Sequence, residues 1–177
     1  MFCVGLDIDS DGLTASELLD KTFKVIEETS DYADAYKLNM AFFMSRGINF
    51  TSSLNSVLDW LQICMKDKFL ICDLKCGDTE NTNKQYARAV FDKWKFDAVT
   101  VNPFCGMPAL QPFFDYKDKT TFVWTYPTTP SNFMINNMVS KYRHVWAPDV
   151  IFENVRDANT NDNVGLILRY HIINHEI

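Results

Sequence analysis

Apolar runs of strand length recur along the chain with helix-periodic stretches between them, and that alternation limits the folds open to it. Residues 2–9, 34–40, 68–74, 97–103, 120–126 and 163–168 read as six strands. The spacing of apolar residues predicts helices over 14–28, 53–66, 83–94 and about 108–116, with another between 131 and 142. In the second of these the stripe is Leu54, Val57, Leu58, Leu61 and Ile63; in the third it is Tyr86, Ala87, Val90, Phe91 and Trp94. Strands that alternate with helices at this spacing pair in parallel through right-handed crossovers, so the fold class is α/β, either an open sheet or a barrel. With 177 residues, 47% of them hydrophobic, the chain has material for one packed core, and residues 1–177 are read as a single domain.

Polar residues fall at the carboxyl ends of these strands. Residues two apart on a strand face the same side, so Asp7 with Asp9, Lys37 with Asn39, Asp73 with Lys75 and Thr100 with Asn102 each form a same-face pair. An α/β fold builds its site at that edge of the sheet. Any one pair is an ordinary strand-to-loop transition; four in succession mark a functional cluster. Next to the run Phe69-Leu70-Ile71-Cys72, an unpaired charge would cost several kcal/mol in desolvation, so Asp73 and Lys75 are expected to neutralise each other or a further partner.

Composition narrows the function. A net charge of −6 and no Lys/Arg block argue against a nucleic-acid binder, while a few lysines in a cleft can still receive an anionic substrate. The five cysteines, Cys3, Cys64, Cys72, Cys76 and Cys105, sit mostly in apolar runs and read as core thiols of a reducing compartment; Cys72 and Cys76 have no second pair at zinc-site spacing. His144, His171 and His175 form no ligand or triad set and read as surface or terminal residues. No apolar run approaches the ~20 residues that cross a bilayer. A soluble, cytoplasmic protein with no membrane or nucleic-acid partner is expected.

Four stretches carry a resemblance. "VGLDID" at residues 4–9, "YKLNMAFF" at 36–43, "DLKCGDTENT" at 73–82 followed by "YARAVF", and "DAVTVNPFCG" at 97–106 resemble, in order, the first four strand motifs of orotidine 5′-monophosphate decarboxylase. The match covers roughly the first two thirds of the chain, and its third motif is specific when it follows the other two. The resemblance implies a TIM barrel that removes CO2 from orotidine 5′-monophosphate to give UMP in de novo pyrimidine biosynthesis. It implies no metal or organic cofactor, and a homodimer whose sites are completed across the interface. Residue by residue, Lys75 would be the proton donor to C6 of the pyrimidine, Asp73 would lie beside the substrate carboxylate, and Lys37 would link Asp73 to the ribose. Asp7 would contact the ribose, and Asp78 and Thr82 would reach into the neighbouring subunit's site. Asn39, on the same strand face as Lys37, is grouped with the substrate-binding residues. In the fifth-strand loop "TYPTTPSN", either Thr125 or Thr128-Thr129 stands for the turn that contacts the pyrimidine, and Thr128 is favoured because it lies beyond the strand. Such an array has its own physical logic. Decarboxylation leaves electron density on a carbon with no conjugated sink, and alternating Lys37, Asp73, Lys75 and Asp78 can hold each ammonium charged and oriented to receive it.

The resemblance has a limit. The family continues with a glycine-rich phosphate loop on the seventh strand and an arginine near the eighth, whereas "VGLIL" here runs into "RYHIINHEI" with no glycine after Gly165. The expectation is therefore a barrel of about six of eight strand-helix units, incomplete at the C-terminal end. Arg143, Arg156 and Arg169 are the late guanidinium groups, and spacing selects none of them. Two alternatives follow: a truncated, non-catalytic relative serving as a nucleotide-binding or interaction module, or a sugar-phosphate decarboxylase that uses magnesium, against which "KLNMAFF" argues.

Overall fold

Strands β1 (Cys3–Gly5), β2 (Ala35–Asn39), β3 (Phe69–Cys76), β4 (Ala98–Val101), β5 (Thr120–Trp124) and β6 (Val164–Ile167) lie in one sheet in chain order. The structure, a computed structural model, describes residues 1–9, 11–47, 50–125 and 147–168. Pairing is parallel between β1 and β2, β2 and β3, and β5 and β6. Parallel strands in sequential order, joined by helices, are the topology of a TIM barrel, and six such strands lie among the described residues where a complete barrel has eight. The helices are α1 (Ala15–Thr29), α2 (Met40–Met44), α3 (Phe50–Cys64), α4 (Glu80–Ala87), α5 (Met107–Phe114) and α6 (Ala147–Ala158), and α4 continues into a π-helical segment over Arg88–Lys93. The chain divides into two compact units, Met1–Leu74 with Ala89–Val99 and Lys75–Arg88 with Thr100–Ile177.

In the first unit, α1 begins where the sequence supplies a capping box. The Thr14 hydroxyl accepts the Glu17 N–H while the Glu17 carboxylate accepts the Thr14 N–H at 2.8 Å. Leu18, Thr22 and Ile26 recur every fourth residue and are buried, and α1 packs on α3 with the Phe23 and Trp60 rings 5.3 Å apart. Leu70, Ile71 and Cys72 are buried at consecutive positions of β3, as expected of a parallel strand covered on both faces. Tyr36 on β2 is fully buried because its hydroxyl has a partner, donating to the Ile26 carbonyl at 3.1 Å.

In the second unit, α4 and α5 are joined by the buried Asn83, whose amide donates to the Ala109 carbonyl at 2.7 Å. Leu110, Phe113 and Phe114 form the apolar side of α5, and the Asn163 amide ties the start of β6 to the Phe114 and Tyr116 carbonyls.

The elements differ from the sequence expectation in several places. The expected first strand shrinks to Cys3–Gly5, with Leu6 N–H still donating to the Lys37 carbonyl at 2.9 Å. Met40 opens helix α2 instead of ending β2, because the Asn39 side chain accepts the Ala41 N–H and caps it. Helix α6 has no counterpart in the sequence reading, and the expected 83–94 helix is the end of α4 followed by the π-helical segment. Ile63 and Tyr86 are 69% and 38% exposed and do not belong to the apolar stripes assigned to them. Only Cys72 and Cys76 are core thiols; Cys3, Cys64 and Cys105 are exposed. The predicted 131–142 helix and Arg143, His144, Arg169, His171 and His175 lie outside the described residues.

Thr14→Ala removes one half of the capping box and is expected to cost about 1 kcal/mol, read as a lower urea midpoint with an unchanged slope; Thr14→Ser is expected to keep most of that stability.

Candidate functional site

Three of the expected charged residues meet in the first unit. The Lys37 ammonium donates to Asp73 Oδ2 at 2.8 Å and to the Asp7 oxygens at 3.2 and 3.3 Å. Their positions follow from the sheet. Gly5 pairs with Lys37 and Lys37 with Ile71, so Lys37 lies two residues before Asn39, which pairs with Asp73, and its long side chain reaches both acids. Asp73 is 6% exposed and Lys37 27%. Burial alone would lower the pKa of the Lys37 ammonium, but the hydrogen bonds and charge of Asp73, reinforced by Asp7, outweigh it and the net shift is upward. A Cβ on Gly5 would lie 3.9 Å from Asp7 Oδ2 and 3.9 Å from Lys37 Cε, in ordinary van der Waals contact with the pair.

The second unit carries Lys75, Asp78 and Thr82. Lys75 is half-buried and has φ +47°, the left-handed region that an L side chain rarely enters. Its N–H donates to the Thr100 hydroxyl at 3.0 Å, and the Asn102 N–H donates to the Cys76 carbonyl at 2.7 Å. At Gly77 the chain passes so near β4's continuation that a Cβ would stand 2.2 Å from the Asn102 carbonyl oxygen. Asp78 follows on an exposed turn, its carboxylate accepting the Thr79 N–H at 2.6 Å. Asn83 fixes that turn: its side chain accepts the Asp78 N–H at 3.1 Å and donates to the Asp78 carbonyl at 2.8 Å. The Thr82 hydroxyl lies 3.4 Å from that of Thr79.

The expected residues thus fall into clear groups. Asp7, Lys37 and Asp73 are brought into one cluster, while Lys75 follows Asp73 by two residues on β3. Asn39 sits beside the cluster but its side-chain oxygen caps α2. Thr128 lies outside the described residues, and Thr125, the other possibility, is buried with its hydroxyl donating to the Ile167 carbonyl at 2.7 Å. Arg156 is on the exposed face of α6, paired with Asp157 at 3.1 Å. Among the described residues no group of three or more His, Cys, Asp or Glu side chains is placed to hold a metal ion. Burial pushes the Cys76 thiol up to about 12, which makes it inert as a nucleophile.

Sequence reasoning missed Asn83 and gave Gly77 and Thr100 no role of their own. Thr100 carried a signal, a hydroxyl in the otherwise apolar strand Ala98-Val99-Thr100-Val101. Asn83 carried none, since asparagine in a first helical turn is usually solvated.

The family model for orotidine 5′-phosphate decarboxylase / HUMPS matches residues 1–169. The chain belongs to that family. It is 31% identical over 176 residues to the orotidine 5′-phosphate decarboxylase of Porphyromonas gingivalis, covering 94% of this chain and 61% of that one. With the enzyme of the same name from Dehalococcoides mccartyi it shares 29% over 174 residues, 95% of this chain and 62% of the relative. Among solved structures, that of Leishmania donovani OMP decarboxylase superposes with a TM-score of 0.84 at 30% identity, over 94% of this chain and 64% of that one. Leishmania donovani UMP synthase gives 0.85 at 30% identity, over 94% of this chain and 36% of that one. This member of the orotidine 5′-phosphate decarboxylase / HUMPS family therefore spans about six tenths of the length of the curated relatives it matches. No helix of the described residues is long and apolar enough to cross a membrane.

Two substitutions test the geometry. Lys37→Ala removes the 2.8 Å ion pair from the buried Asp73 and is expected to cost roughly 3–5 kcal/mol in a denaturant titration. Because the folded-state pKa of Lys37 is raised above its ordinary 10.5, its contribution is complete below that value and is lost as pH rises through the higher folded-state pKa, so the Lys37→Ala deficit is expected to shrink only in strong alkali. Gly77→Ala cannot be accommodated without moving the Asn102 backbone, and a loss of roughly 1–3 kcal/mol is expected, measured the same way.

Proposed function

We propose that the chain decarboxylates orotidine 5′-monophosphate to UMP, a step of pyrimidine biosynthesis, with Lys75 as the proton donor in a Lys37, Asp73, Lys75, Asp78 array. The observation that carries this reading is the Lys37 ammonium held between Asp7 and Asp73, at 2.8 Å from a carboxylate that is 6% exposed. A cation fixed in this way needs no reorganisation when negative charge develops nearby, which is how a preorganised site lowers a barrier.

The roles follow from the chemistry. Breaking the bond between C6 and the carboxylate leaves an electron pair on C6. Asp73 stands beside the departing carboxylate, and its negative charge disfavours the ground state more than a transition state whose charge is moving away. The Lys75 ammonium stabilises the nascent carbanion and delivers a proton to C6. Lys37 keeps Asp73 oriented, and with Asp7 and Asn39 it receives the ribose. Thr128 contacts the pyrimidine. The exposed Asp78 and the half-buried Thr82 enter the neighbouring site of a homodimer. No step calls for a metal or an organic cofactor, and the enzyme works in the cytoplasm. Support for the reading comes from family membership, from the retention of all four charged positions, and from the pairing of Lys37 with two acids.

Lys75→Ala is expected to lower UMP formation from orotidine 5′-monophosphate by at least about 100-fold, followed by chromatography of the product, since a positioned proton donor contributes roughly that much or more. Wild-type chain that binds UMP in calorimetry yet yields no product above background would replace this reading with that of a nucleotide-binding module. Sedimentation at assay concentration checks the dimer, and Asp78→Ala is expected to depress kcat while leaving the oligomeric state intact.

A further inference from the structure

A lysine with a positive φ has to be held there. The left-handed region costs an ordinary L residue about 1–2 kcal/mol, and lysine, unlike asparagine or aspartate, has no short polar side chain to hydrogen-bond its own backbone. At Lys75, φ is +47°. In a regular parallel ladder the Lys75 N–H would go to a main-chain carbonyl of the adjacent strand. Here it donates to the side-chain hydroxyl of Thr100, at 3.0 Å, on a residue only 3% exposed. The two residues that follow are tied down by the same short stretch: the Cys76 carbonyl accepts the Asn102 N–H at 2.7 Å, and Gly77 presses against the Asn102 carbonyl, with 2.2 Å left for a Cβ. Three successive residues are thus clamped, and the group that holds the Lys75 N–H is a hydroxyl that a valine of the same shape would lack.

We propose that Thr100 is a positioning residue for Lys75: by accepting its N–H, the hydroxyl holds the lysine backbone in the left-handed turn from which the ammonium is aimed. The inference rests on Lys75 being the proton donor only for its catalytic consequence. The hold of Thr100 on the Lys75 backbone stands on the geometry of these residues alone.

Thr100→Val, Thr100→Ala and Thr100→Ser are compared with the full wild-type chain by three measurements. Amide hydrogen exchange at Lys75 is expected to quicken about tenfold in the Val and Ala variants, the effect of one lost hydrogen bond, and to return in the Ser variant. Lys75 acetylation by acetic anhydride, followed by mass spectrometry against the other lysines, is expected to change in rate in the Val and Ala variants and to recover with Ser. For UMP formation, kcat is expected to fall roughly 10- to 100-fold in the Val and Ala variants with KM little changed, as befits a misplaced donor. Should the Val variant unfold, the smaller Ala variant reports the same loss of hydroxyl without overpacking. A wild-type Lys75 N–H that exchanges as fast as an open amide, or Val and Ala variants with unaltered exchange and labelling, would overturn the proposal, and so would unaltered kcat in those variants while Lys75→Ala abolishes turnover. If instead the wild type makes no UMP and Lys75→Ala changes nothing, the decarboxylase reading fails, and exchange and labelling still decide for or against Thr100.

Discussion

A carboxylate that is 6% exposed has to be answered by a cation, and the first three strands are arranged around that requirement. Asp73 stands on β3 after three consecutive buried apolar residues, and Lys37 supplies the answering charge from β2. The pair also fixes the register. Sliding β2 by one residue against β3 would send Lys37 to the opposite face and bring an apolar neighbour, Leu38 or Tyr36, to the acid, stranding a charge in the core and exposing side chains now fully buried. Hydrophobic pattern and ion pair therefore specify one register together. Asp7, just past the end of β1, adds the second carboxylate, and the three groups exchange hydration for one another at the sheet edge.

The polar residues at the strand ends divide by chemical type into two kinds of work. Charged ones, Asp7, Lys37 and Asp73, satisfy one another. Neutral ones serve the backbone: Asn39 caps α2, Thr100 takes the Lys75 N–H, Asn102 accepts the Phe104 N–H at 2.9 Å, and Asn83 binds both main-chain groups of Asp78. An amide or hydroxyl can replace a missing peptide partner without the desolvation cost of a charge, which is why a fully buried Asn83 is tolerable with its side chain bonded on both ends. The end of β3 at Lys75 and the turn at Asp78 are consequently held by local hydrogen bonds.

That division also explains what was legible in the sequence. The apolar runs gave the strands, and the helical spacing placed the start of α1 within one residue of Ala15, because both signals depend on neighbours within a single turn or strand. Lys37, Asp73, Lys75 and Asp78 stood out because charges are rare beside apolar runs. Harder to see were features set by contacts far along the chain. Helix α2 depends on Asn39 choosing to cap instead of continuing the strand; the wide turn over Arg88–Lys93 depends on burying both Val90 and Phe91. Cys3, Cys64 and Cys105 lie in apolar surroundings in sequence yet face outward, since sequence neighbours say little about which side of an element is covered. Asn83 looks like any polar residue of a first helical turn until the Ala109 carbonyl, 26 residues away, is set against it at 2.7 Å.

Placing a lysine is difficult because its four-carbon stem carries about 2 kcal/mol of rotamer entropy, and an ammonium, unlike a guanidinium, has no planar fork to orient it. Two solutions occur in this chain. Lys37 is fixed at its tip, where two carboxylates hold the ammonium and the stem follows. Lys75 is fixed at its root: the backbone is forced into a conformation that lysine does not prefer, and Thr100, Asn102 and Gly77 supply the constraint. The two solutions suit different tasks. A group held at its tip by acids keeps its proton and shapes the field, as the raised pKa of Lys37 reflects. Under the proposed role of Lys75 as proton donor, anchoring at the root sets the direction in which its side chain leaves the strand.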